Sequence, residues 1–65
     1  MMMNVIGKMM TNDKFFVTDK NKWFTCNDSE YALQWAYDMY ESAYKIETDE
    51  NGLVKKLYLL KDYRN

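Results

Sequence analysis

MYESAYKIETDENGLVKKLYLL, Met39 to Leu60, is the stretch on which the architecture turns. Tyr44, Ile46 and Thr48 alternate with Lys45, Glu47 and Asp49, the two-residue period of a strand with one buried face. Asn51-Gly52 is the strongest short hairpin signal, and the run Leu53 to Leu60 that follows is apolar apart from Lys55 and Lys56. A two-residue turn at Asn51-Gly52 sets Glu47 opposite Lys56 and Ile46 opposite Leu57. Both are favourable cross-strand neighbours. The preceding helix is therefore expected to end near Tyr44, with a hairpin after it. The competing reading carries the helix on to Glu47 and leaves one final strand, so residues 44–50 are where helix and strand compete.

Upstream, Asn27-Asp28-Ser29-Glu30 announces the helix. Asn27 or Asp28 can accept from the free amides of the first turn, and Glu30 stands three residues after Asn27, as in a capping box. At about 100° per residue, Gln34, Asp38, Glu41, Ser42 and Lys45 share one polar arc. Opposite lie Ala32, Ala36 and Ala43 with Met39, a small-residue stripe able to lie close on a sheet. Trp35 and Leu33 flank that stripe as core, with Tyr31 more core than edge. The apolar and aromatic arc spans roughly 200°, about twice what a surface helix needs to face one core. Tyr37, Tyr40 and Tyr44 form a ledge at its edge. Tyrosine can bury its ring and keep its hydroxyl wet, which makes the ledge a core margin. Equally, tyrosine concentrates at interfaces, which makes it a docking surface.

The first third reads as strand. KFFVT (Lys14 to Thr18) and KWFTC (Lys22 to Cys26) are aromatic and β-branched, and Asp19-Lys20-Asn21 between them is a turn in which Asn21 can go left-handed. Thr11-Asn12-Asp13 is a second turn, after a strand around Met3 to Met10. The expected fold is α+β in a single domain, 1–65. An antiparallel sheet of four to five strands carries one amphipathic helix on one face, in the order βββαββ.

Composition narrows the chemistry. The 65 residues include no histidine, no proline and one cysteine, Cys26. The commonest general base and transition-metal ligand is missing, and an internal disulfide is impossible. Only Gly7 and Gly52 are glycine, too few for a phosphate-cradling loop. Asp38 and Glu41, as solvated acids, have nothing to tune them for acid–base work. Cys26 has no evident base to ionise it. No catalytic, cofactor or metal constellation is expected, and the protein reads as no enzyme. MMMNVIGKMM is broken by Asn4, Gly7 and Lys8, unlike a secretory signal, and nothing approaches a membrane span. The expected setting is the cytoplasm.

Charge is segregated along the chain. Residues 1–27 carry net +2, residues 28–50 net −6 with seven acids against Lys45, and residues 51–65 net +3. The acidic helix either complements basic strands of its own sheet or steers toward a basic partner. A second functional reading uses the hairpin 14–26, where Lys14, Phe16, Lys22 and Phe24 interleave cations with rings that nucleic-acid bases could stack on. A sequence pI near 5.2 opposes non-specific phosphate binding. Alternation also sends Phe15 and Phe16 to opposite faces.

Small size, a Tyr/Asn/Lys/Asp-rich composition and a strand–helix–strand plan make the chain similar to the very small accessory, host-takeover proteins of tailed bacteriophages. The helical Ala32-Leu33-Gln34-Trp35-Ala36-Tyr37-Asp38-Met39-Tyr40, with strands on each side, resembles phage antitoxins of the Dmd type, which bind and silence a bacterial toxin RNase. The resemblance implies a class, inhibitors that occupy a host enzyme or defence protein in the bacterial cytoplasm. It transfers no binding residue. The leading expectation is a non-enzymatic binding protein that occludes a host protein. Tyr37, Tyr40 and Tyr44 would be its apolar anchors, and Asp38 and Glu41 its charges. A homodimer is expected as a second mode of association, with a structural subunit as the third reading.

Overall fold

The structure, a computed structural model, describes residues 9–64. Within them lie β1 (Phe15–Asp19), β2 (Lys22–Cys26), α1 (Ser29–Met39), β3 (Ser42–Thr48) and β4 (Val54–Asp62). The sheet is antiparallel in the order β2-β1-β3-β4. Because β2 and β3 both run antiparallel to β1, they are parallel to each other, and α1 carries the chain from one to the other across β1. The α+β class and the sequence of elements after residue 14 are as expected. The strand expected around Met3 to Met10 falls mostly outside the described residues. Its described end, Met10, makes a single bridge to Leu53 rather than a strand beside β1.

Register sorts the side chains. Val17 stands opposite both Phe24 and Ala43, so these three share one face. There they meet Ala32 and Ala36 of α1, with Phe15, Leu33, Trp35 and Tyr63 at the margin. Phe16 stands opposite Thr25 and Tyr44, on the other face, where it packs with Met9, Ile46 and Val54. Ala32, Ala36 and Ala43 are fully buried. The small-residue stripe is thus real, with Ala43 contributing from the sheet beneath the helix rather than from the helix itself.

The helix stops at Met39, five residues before Tyr44. Tyr40 adopts the left-handed conformation (φ 56, ψ 47). The Glu41 amide then reaches back to the Ala36 carbonyl at 2.8 Å, and the Tyr40 amide to Tyr37 at 3.4 Å. This reversal is the usual way to close a helix, but glycine normally occupies the left-handed position. What outweighs the helix is the strand. Ser42–Thr48 bonds to β1 on one side and β4 on the other, a central position that a longer helix would forfeit.

At the helix start the cap is Asp28, whose carboxylate accepts from the Glu30 amide at 3.0 Å. Asn27 instead accepts from the Lys14 amide, tying the helix entrance to β1. In the β1–β2 turn, Lys20 (φ 56), not Asn21, is left-handed. In the last hairpin Glu47 faces Lys56 and Ile46 faces Leu57, as the sequence predicts. The loop is one residue wider than expected. The Asp49 amide bonds to the Leu53 carbonyl, the Asp49 carboxylate accepts from the amides of Asn51 and Leu53, and Gly52 (φ +84) takes the left-handed position.

Candidate functional site

With Ala32 and Ala36 against the sheet, the opposite side of α1 is centred on Gln34 and flanked by Glu30 and Asp38. Tyr37 borders this arc on one side and Tyr31 on the other, 59% and 50% exposed. Tyr40, just beyond the last turn, is the most exposed ring at 67%. Gln34 donates to Asp38 at 2.9 Å, bracing the carboxylate on the surface. No lysine or arginine lies between Ser29 and Met39, so the face is acidic throughout. Tyr37 meets the Tyr63 ring edge-on at 5.4 Å, which draws the end of β4 up to the helix.

Of the five expected partner-binding residues, the structure places Tyr37 and Asp38 on this exposed side, leaves Tyr40 exposed just beyond the end of the helix, and sends the other two elsewhere. Tyr44 belongs to β3 and points to the face away from the helix, edge-on to Phe16 at 5.9 Å. Glu41, expected on the solvated arc, is 9% exposed. The left-handed turn at Tyr40 swings it inward, where it accepts from the Thr18 hydroxyl at 2.9 Å and from the Lys20 amide. Its role is structural. Tyr31, expected in the core, joins the exposed set. Its ring leans on Phe24 (6.2 Å) and Trp35 (6.1 Å), and these two take the buried space instead.

The hairpin residues of the nucleic-acid reading divide between the two faces. Lys14 and Lys22 are exposed. Phe16 is 1% exposed and stacks under Trp23 (5.6 Å), while Phe24 sits edge-on to Trp35 at 5.1 Å on the helix side. Both phenylalanine rings are taken up by packing, so they form no platform for bases. Burial pushes the Cys26 thiol above its ordinary value, the nearby charges of Asp13 and Asp28 act in the same direction, and the thiol donates to the Asp28 carbonyl at 3.6 Å. Among the described residues no three of Asp, Glu, Cys or His converge as metal ligands, and no helix is long and apolar enough to cross a membrane.

Sequence reasoning missed the polar cluster beneath Glu41. Thr18 Oγ1 accepts from the Ser42 amide at 3.0 Å and lies 3.1 Å from the Ser42 hydroxyl, which in turn lies 3.2 Å from the Tyr44 hydroxyl. Nothing in the order of residues signals it, because it depends on a tyrosine taking a glycine's conformation. Comparison with protein-family models, curated proteins and solved structures finds no match, so the functional reading rests on this geometry.

Proposed function

We propose that the protein is a non-enzymatic binding module that docks the acidic tyrosine face of α1 on a basic protein surface and acts by covering it. The observation that carries this reading is Tyr40. A bulky residue in the left-handed conformation costs about 1–2 kcal/mol, yet the ring is two-thirds exposed and pairs with no other ring among the described residues. Asparagine or glycine would meet the same backbone conformation at lower cost. Strain held at an exposed residue points to function. Tyr31, Tyr37 and Tyr40 offer large contact area at low side-chain entropy cost, and Glu30 and Asp38 steer a cationic target.

Inhibition by occlusion of a host enzyme or toxin is the form this takes if the likeness to phage accessory proteins reflects descent. The test is capture from a bacterial lysate by the tagged protein, compared with a Tyr40→Gly, Asp38→Lys double variant whose fold is verified by circular dichroism. The reading expects a salt-sensitive partner retained by the parent chain and lost by the variant. Equal recovery by both would place any binding elsewhere.

A further inference from the structure

We infer that the groove along the outer flank of α1 takes an extended segment of the partner carrying a cationic residue three positions from an apolar one. The inference rests on the reading of α1 as a docking face and specifies what that face recognises. The groove, about 560 Å³ and open to solvent, is bordered by Asp28, Glu30, Leu33, Gln34, Tyr37 and Tyr63. Its two ends differ in chemistry. Asp28 and Glu30 put two carboxylates at one end, outweighing the roughly half positive charge of a helix N-terminus. Leu33, Tyr37 and Tyr63 make the other end apolar and aromatic.

The cation belongs at the acidic end for a second reason. The Lys61 ammonium already lies over the Tyr63 ring, 5.9 Å from its centroid, so the aromatic end repels another positive charge. Spacing follows from the backbone. Glu30 and Tyr37 are seven residues apart on α1, a rise of about 10 Å at 1.5 Å per residue. An extended chain in the polyproline II conformation covers about 9 Å in three residues and returns every third side chain to the same side. An arginine seated against Glu30 therefore presents the third residue after or before it to Tyr37 and Leu33. A shallow, open groove suits such a segment better than a small molecule, which needs enclosure on most of its surface.

The experiment follows backbone amide shifts of the isotope-labelled full chain on titration with the capped hexapeptide Gly-Arg-Ser-Gly-Leu-Gly. Expected are saturable shifts in the millimolar range, confined to amides from Glu30 to Tyr37 and to Tyr63. Glu30→Lys should weaken them about tenfold or more through like-charge repulsion. Replacing the peptide's arginine by glutamate should abolish them, and replacing its leucine by serine should reduce them. Absent shifts, equal shifts with all three peptides, or shifts centred on another surface would each overturn the inference. If the groove is silent while Tyr40 and Asp38 still govern capture of a partner, this inference fails alone. Loss of both responses removes the docking face itself.

Discussion

The Glu41 carboxylate accepts the Thr18 hydroxyl at 2.9 Å across twenty-three residues of chain, and its second oxygen takes the amide of left-handed Lys20. One side chain thereby joins the end of the helix to the β1–β2 turn. Glu41→Ala should cost about 1–3 kcal/mol, because it leaves the Lys20 turn amide without its acceptor and the buried Thr18 hydroxyl with the longer bond to the Ser42 carbonyl at 3.3 Å. Glu41→Gln keeps the shape but aims a donor at one of two donors, and should cost less. Urea unfolding measures both, and a midpoint unchanged by Glu41→Ala would return the residue to the surface.

Tyr40 sits immediately before Glu41 and strains the chain to turn it inward. Tyr40→Gly removes about 1–2 kcal/mol of left-handed strain and adds about 0.5–1 kcal/mol of backbone entropy cost. The fold should gain about 0.5–1 kcal/mol, the net of these two terms. Thermal unfolding reads the change. A loss of stability would mean the exposed ring supports the fold.

These two residues mark where sequence reasoning stopped. The last hairpin was legible because period-two alternation and Asn51-Gly52 agree, and Glu47 against Lys56 follows from both. The seam was legible because Ala32 and Ala36 lie one turn apart. Tyr40 was not, since tyrosine has no preference for a left-handed cap and the stop there is imposed by β1 and β4 pairing with β3. Once the helix ends at Met39, Glu41 and Tyr44 leave the helical wheel, and two of the five expected contact residues go with them. Tyr31 was misplaced for a related reason. Phe24 and Trp35 fill the space at that edge, a competition that only the sheet register reveals.

The seam tolerates no added volume. Ala36 is fully buried in the cluster that holds Val17 and Ala43. Ala36→Leu should destabilise by about 1–3 kcal/mol through overpacking. Gln34→Leu, on the exposed side of the same helix, should stay within about 0.5 kcal/mol. Equal effects of the two in chemical unfolding would show that α1 is not seated on its alanine side.

Acid should weaken the outer edge of the sheet before its centre. The Tyr58 hydroxyl donates to Glu47 at 2.6 Å, and this bond, with the ammonium of Lys55 at 3.7 Å, holds the Glu47 carboxyl below its ordinary value. Arg64 does the same for Asp62 through its side chain at 3.0 Å and its backbone amide at 2.9 Å. A carboxyl whose pKa is lower folded than unfolded stabilises above the unfolded value and loses that effect as pH falls through the folded one. Both groups are solvated, so the effect is a slope in stability, not a collapse. The phenol responds in the opposite sense. Glu47 raises Tyr58 above the ordinary tyrosine value, so its share persists at neutral pH and fades as pH rises through the folded value. Tyr58→Phe should therefore move the Glu47 midpoint upward in a carbon-detected NMR titration while leaving Asp62 where it was. An unmoved Glu47 midpoint would assign its depression to the lysines alone.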